Sequence, residues 1–320
     1  MNRFLCLVAA GSFICAAFPA AAARSTPANF VYTTTGELGT IGPLLERRDI
    51  EGVQIVYNWK LLEKSADVYD FSAIEADLRL VEGLHKRLFV QIQDRFFQAK
   101  ARNVPAYLLD DPRYGGGLVA QIDYSVKNKP VTVGWVTQQW NPAVRERFQK
   151  LLQALAKRFD GRIYGLNLTE TAMDVDAGVH RSGFDCDAYF AAELENMAAA
   201  KKAFSKSKVV QYVNFWPCEW NNDHNYMSRV FGYAAANGIG LGGPDIVPNR
   251  KGQMKNSYPF FHRYKSKLAL VAMAVQEPTL AYINPATSKP FTKAEFTDFA
   301  NDYLGVDIIF WSTESPWLQP

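Results

Sequence analysis

Apolar residues along this chain gather into eight short runs, separated by longer stretches in which they recur at helical spacing. The runs cover 30–33, 53–57, 88–92, 163–168, 209–213, 239–241, 268–275 and 306–310. Continuous apolar runs predict strands covered on both faces, as in a parallel sheet. The stretches between them carry helix start signals. Ser72 with Glu75 has capping-box spacing, followed by Ile74, Leu78 and Val81 on one face. Asn141 before Pro142 predicts a cap and first helical residue, followed by Val144, Phe148, Leu151, Leu155 and Phe159. Thr292 with Glu295 predicts a second capping box, and Gly305 ends that helix before the last run.

Eight strand–helix units in one chain fit an α/β fold, a single (β/α)8 TIM barrel, better than a doubly wound sheet. Two units are irregular. The helix after the first run can only be short, around 43–48, and the one before the seventh carries Pro259. The connection over 94–139 is too long for a turn, and we read it as an elaborated loop between the third strand and third helix. An inserted subdomain is the alternative.

Residues 1–23 have the pattern of a secretory signal peptide. Arg3 opens it, an apolar stretch runs from Phe4 to Phe18, Pro19 ends the stretch, and Ala20 to Ala23 offer a small-residue cleavage site. The apolar stretch is short for a bilayer span. Cleavage before Arg24 leaves a barrel domain over 24–320 with two cysteines, Cys186 and Cys218, able to form one bridge in an oxidising compartment. A secreted or periplasmic location follows, with no membrane association after cleavage. Lys+Arg 35 against Asp+Glu 32 is too balanced to attract nucleic acid. A monomer is expected.

In such a barrel the chemistry sits at the C-terminal ends of the strands. That rule selects Asn58 and Trp59, then Gln93, Asp94 and Arg95, then Asn167, Thr169 and Glu170. The later strands supply Asn214, Trp216 and Glu219, then Asp245, then Gln276 and Glu277, and finally Trp311 and Glu314. Glu170 and Glu277 each close a long apolar run, where a carboxylate is costly unless hydrogen-bonded or open to a cleft. Strands four and seven face each other across the mouth of an eight-stranded barrel. One carboxylic acid to protonate a leaving oxygen and one carboxylate on the opposite side of the anomeric carbon is what glycoside hydrolysis needs. The alternative use of each Glu is to cap the barrel through an Arg or Lys. Tryptophans are numerous, 7 in all, and those at strand ends, Trp59, Trp216 and Trp311, suit stacking on sugar faces as well as core packing. Arg95, Asp94 and Glu219 can read hydroxyls or pair with one another.

At these residues the chain resembles clan A glycoside hydrolases. The stretch from Gly52 to Trp59, with Leu62, Glu63 and Tyr69 to Ser72, is similar to the clan's second strand and second helix start. Asn141 to Val144, with Arg147 and Phe159, resembles the helix leading to its acid/base strand, and Trp311 resembles its strand-eight tryptophan. The resemblance covers roughly 29–317. It implies Glu170 as general acid/base and Glu277 as nucleophile in a retaining double displacement on a β-linked oligo- or polysaccharide. The clan usually places Asn before the acid/base Glu. Here Thr169 stands there, with Asn167 two residues back, so Asn214 or Gln276 is a substitute donor, and Asp174 and Asp176 are reserve acids. The sequence Asn167-Leu168-Thr169 also matches an N-glycosylation acceptor, a poor reading inside a strand.

Other chemistries fit less well. The four histidines, His85, His180, His224 and His262, form no H-x-H or H-E-x-x-H pattern, so no metal or cofactor is expected. No serine-elbow or phosphate-loop motif occurs, and the glycines at 115–117 lack a strand-then-helix setting. The readings from other classes are a non-catalytic glycan-binding barrel and an exported solute-binding protein.

Overall fold

The computed structural model describes residues 26–123, 129–175 and 183–319. The signal-peptide reading of 1–23, the reserve acid Asp176 and His180 lie outside the described residues. Every one of the eight apolar runs is a strand: β1 Ala28–Thr34, β2 Gly52–Asn58, β3 Arg87–Gln93, β4 Gly165–Leu168, β5 Lys208–Tyr212, β6 Gly240–Gly243, β7 Val271–Val275 and β8 Ile308–Ser312. They pair in parallel and close on themselves, with β1 between β2 and β8.

Between them run α1 Gly42–Glu46, α2 Ser72–Gly83, α3 Pro142–Phe159, α4 Cys186–Ala203, α5 Tyr226–Asn237, α6 Tyr258–Tyr264 and α7 Lys293–Asp298. Strand period divides each run between two cores. Val53, Ile55 and Tyr57 of β2 and Val90 and Ile92 of β3 face the helices, in the larger core with Phe148, Leu151 and Phe159 of α3. Phe30, Phe89 and Phe310 point into the barrel and meet edge to face, with ring centres 5.2–6.2 Å apart. Each such ring, fully buried, contributes about 1.5–3 kcal/mol. Gly165 gives Phe89 its room: a Cβ there would stand 2.2 Å from the ring.

The caps of α3 and α7 form as the sequence predicts. Asn141 accepts the Ala143 N–H, and Thr292 and Glu295 complete a reciprocal capping box. The cap of α2 does not. Ser72 is already helical, and Asp70 accepts both its N–H and its hydroxyl, while Glu75 turns to Arg158 and Arg162. The unit before β7 is broken at Ser257 between two short helices, Lys251–Asn256 and α6, which puts Pro259 in a first turn where its missing N–H costs nothing.

The described residues of the long connection after β3 include regular elements. Residues 95–96, 118–123 and 131–137 form a three-stranded antiparallel sheet, with a short helix at Ala106–Asp110. Cys186, at the start of α4, is joined by a disulfide to Cys218 in the loop after β5. Among the described residues no helix is long and apolar enough to cross a membrane.

Candidate active site at the C-terminal mouth of the barrel

The mouth of the barrel opens into two adjoining cavities. The larger, about 510 Å3, has Tyr32, Asn58, Gln91, Thr169, Glu170 and Gln276 among its walls. The second, about 490 Å3, is bordered by Glu37, Glu277 and Glu314. Tyr32 and Thr34 line both. The Tyr32 hydroxyl is pushed up to about 12, by burial first and then by the charges of Glu277 and Glu37.

Glu170 stands two residues beyond β4, partly buried in the first cavity. Its carboxyl is pushed up to about 7. Burial is the largest cause and raises it; Arg95 and the bond from Asn214 pull it down, and Asp245 and Asp174 raise it further. Asn214 donates through Nδ2 to the Glu170 carboxyl. Its own Oδ1 is fixed by the backbone N–H groups of Ala172 (3.1 Å) and Phe215 (2.9 Å). Asn214 is thereby aimed at Glu170. A carboxyl in this state is able to hold a proton at neutral pH and release it, as a general acid/base must.

Glu277 follows β7 and begins the short helix Glu277–Leu280. The Ser312 hydroxyl, from the end of β8, donates to its Oε1 at 2.6 Å. The other predicted acid on this rim, Asp245, accepts from the Thr279 hydroxyl at 2.7 Å, and burial raises its pKa.

Three predicted substrate contacts are elsewhere. Trp59 and Trp311 are both fully buried, at 0% exposure. The Trp59 indole donates to Glu63 at 2.7 Å and packs edge to face on Phe148. That of Trp311 donates to Asn29 at 2.8 Å and packs against Trp317 and Phe296. Neither presents a face to a ligand, and the sugar-platform expectation is corrected for both. Strand alternation is the reason: Trp311 points outward like Ile309, and Trp59 continues the outward series of β2.

Arg95 is the third. It is buried beneath the mouth, donating to Asp94 (3.3 Å), Tyr189 (2.9 Å) and Glu193 (3.2 Å). Two carboxylates share this one guanidinium, and burial pushes Glu193 up to about 7. Arg95 is 1% exposed and bears on Glu170 through its charge, which lowers the Glu170 pKa.

The remaining predicted residues divide as follows. Asn58 lines the main cavity, with its Oδ1 capping Leu61 N–H at 2.9 Å. Thr169 lines it too, but its hydroxyl donates inward to Asp94. Asn167 is wholly buried and donates to the Leu168 carbonyl at 3.2 Å. Trp216 is nearly buried among Tyr189, Phe190 and Tyr226, at the edge of a neighbouring hollow with Met173, Asp174 and Phe215.

The strand-end rule passes over Tyr32 and Gln91, which point inward from mid-strand, Tyr212, the inward-pointing last residue of β5, and Phe97, which lies in the long connection and is 59% exposed at the cavity. Counting alternate positions back from the strand ends finds the first three. Among the described residues no group of three or more His, Cys, Asp or Glu is placed to hold a metal ion.

No protein-family profile matches the chain. No curated protein sequence matches it. Solved structures do resemble it. The catalytic domain of a β-amylase from Paenibacillus polymyxa aligns with 90% of this chain and 93% of its own, with a TM-score of 0.58 and 8% identity. An endo-glycoceramidase II from Rhodococcus sp., solved with a cellobiose-like imidazole, aligns over 91% of this chain and 74% of its own (TM-score 0.52, 9% identity). A further structure described as a glycoside hydrolase covers 92% of this chain and 89% of its own (TM-score 0.50, 10% identity). At such identities the likeness shows the fold alone: this chain is built on the (β/α)8 barrel that solved glycoside hydrolases use.

Proposed function

We propose that the protein is an exported glycoside hydrolase that cleaves β-linked oligo- or polysaccharide by a retaining double displacement. The observation that carries this reading is the state of Glu170: a carboxyl pushed up to about 7, aimed by Asn214 into a cavity at the mouth of a glycosidase-type barrel.

In the first step Glu170 donates its proton to the glycosidic oxygen as the bond to the anomeric carbon breaks. Glu277 attacks that carbon from the adjoining cavity, held by the Ser312 hydroxyl, and forms a glycosyl ester. The ionised Glu170 then takes a proton from water, whose oxygen attacks the anomeric carbon and releases Glu277. The proton lent in the first step is recovered in the second. Asn58 and Gln276 are placed to bond hydroxyls, and Phe97 offers a ring face of the kind expected of Trp59. Export rests on the pattern of residues 1–23 and suits the Cys186–Cys218 disulfide.

A panel of plant and bacterial polysaccharides, followed for new reducing ends and the anomer first formed, tests this reading. E170Q and E277Q should each lower turnover by about 10³-fold or more while folding normally. Full activity in E277Q would overturn the nucleophile assignment. Binding of a glycan with no turnover of any would favour the non-catalytic barrel instead.

A further inference from the structure

At and beneath the wall of the main cavity lie two amide acceptors with no donor. Gln91 on β3 is in register with Asn167 on β4, and both point into the barrel. The Gln93 amide donates to the Arg95 carbonyl at 2.6 Å, and the Gln91 amide donates to Gln93 Oε1 at 3.1 Å. A carbonyl only accepts, so this chain fixes both amide orientations and leaves Gln91 Oε1 without a donor. Asn167 is fixed in the same way by the Leu168 carbonyl, and its Oδ1 is also without one. Gln91 is 6% exposed and lines the cavity; Asn167 is wholly buried beside it. Leaving a buried acceptor unmet costs about 1–3 kcal/mol; of the two, Gln91 belongs to the cavity wall, where a donor on a bound ligand would lower that cost.

The charge of the walls narrows the donor. Neither cavity is lined by Lys, Arg or His, yet together they present Glu170, Glu37, Glu277 and Glu314. Among the described residues none of the four is in an ion pair, while Arg95 lies beneath the floor. A double displacement uses two carboxylates, so Glu37 and Glu314 are surplus to it. A neutral sugar returns hydroxyl donors to them but leaves their charge unbalanced, whereas an ammonium group returns a positive charge as well as three donors.

We propose that this cleft takes glycans whose sugars carry a free, protonated amino group, in preference to their N-acetylated, neutral or acidic counterparts. The proposal rests on the glycosidase reading and deepens it.

The test uses the purified mature chain at about pH 6, where both the amine and most surface carboxylates are charged. Glucosamine and galactosamine polymers of different linkage are each supplied with free amines and again after chemical N-acetylation. Neutral glucans, mannans and galactans and acidic alginate and polygalacturonate complete the set. Reducing ends report cleavage, and retention of E277Q on the immobilised glycans reports binding. At least one free-amine polymer should be cut or bound about tenfold better than its N-acetylated form, an advantage of about 1.4 kcal/mol. E314Q, a change at an exposed position, and about 0.5 M NaCl should each narrow that ratio about threefold.

Equal handling of amine and acetyl forms, preference for a neutral or acidic glycan, or a ratio untouched by both E314Q and salt would overturn the proposal and leave the glycosidase reading standing. No cleavage and no binding in any class would remove the glycosidase reading, and this proposal with it.

Discussion

The Thr169 hydroxyl donates to the Asp94 carboxylate at the point where β4 delivers the chain to Glu170. Asp94 is itself held by Arg95 and Gln139, so the residue before the proposed acid is anchored to a buried network rather than offered to a sugar. On the proposed function, Thr169 is a positioning residue for Glu170. T169V should lower stability by about 1–2 kcal/mol, read from the denaturant midpoint, because Asp94 loses one donor. It should also lower kcat by roughly threefold to tenfold with KM unchanged, as expected when a reacting group is loosened. T169S should restore both. A raised KM with normal kcat would mean that the hydroxyl faces the substrate after all.

Glu170 makes stability depend on pH in a defined direction. Its carboxyl has an ordinary value of 4.5 and is pushed up to about 7 in the fold, so the native state holds the proton more tightly than the unfolded chain. The stability this supplies is fully present below about pH 4.5 and is lost as pH rises through 7. E170Q carries no such term. Its stability relative to the parent should therefore rise between about pH 4.5 and 8, by the order of 2–3 kcal/mol, in paired denaturation curves. Turnover by the parent should fall above about pH 7 as the acid is lost. A stability difference that does not change with pH would refute the raised value.

The same residues show how far a single sequence can be read. All eight strands were legible, because a parallel barrel strand is apolar on both faces and its run is continuous. That continuity also hid the direction of each side chain. Nothing in Ile309-Phe310-Trp311 says which of the two faces looks inward, so Trp311 reads as a sugar platform when its neighbour Phe310 is the one inside the barrel. The position of Glu170 and Glu277 at the barrel mouth is legible from their place at strand ends, which backbone topology dictates. That of Asn214 is legible in the same way, but its bond to Glu170 is not, since that depends on two backbone N–H groups in a loop. The Gln91–Gln93–Arg95 chain was invisible, because amide orientation is set by tertiary partners.

Exposure separates the aromatic residues into two groups with opposite phenotypes. W311F loses the bond to Asn29 and some packing against Trp317, and should cost about 1–2 kcal/mol of stability with KM changed less than twofold. F97A removes an exposed ring beside the cavity. Its stability should change by about 0.5 kcal/mol or less, while KM rises roughly fivefold to tenfold if the ring stacks on sugar. Steady-state kinetics on whichever polysaccharide the panel identifies, with a melting curve for each variant, decides it. The reverse pattern would return the platform to Trp311.

The Cys186–Cys218 disulfide joins the first residue of α4 to the loop carrying Trp216 and Glu219, across a sequence separation of 32. Cross-linking a loop of that length stabilises by about 3.7 kcal/mol through the entropy of the unfolded chain. Reductant, or C186S/C218S, should lower the denaturation midpoint accordingly. The chain expressed from residue 24 onward in a reducing cytosol should contain two titratable thiols that the exported protein lacks. Equal midpoints with and without reductant would show that the bridge contributes nothing.

Arg95 is the one cation in a buried cluster with Asp94 and Glu193, and its removal should be the most damaging single change near the site. R95M nearly preserves volume but leaves two carboxyls facing each other without a counter-charge, at a cost of about 3–5 kcal/mol. R95M/E193Q removes one of the two charges and should recover a substantial part of that loss. Because Arg95 also holds the Glu170 pKa down, the double variant, if folded, should show its alkaline activity limb moved to higher pH. A merely structural Arg95 would restore stability in the double variant with the limb unmoved. Denaturant curves and a kcat–pH profile on the same preparation separate the two.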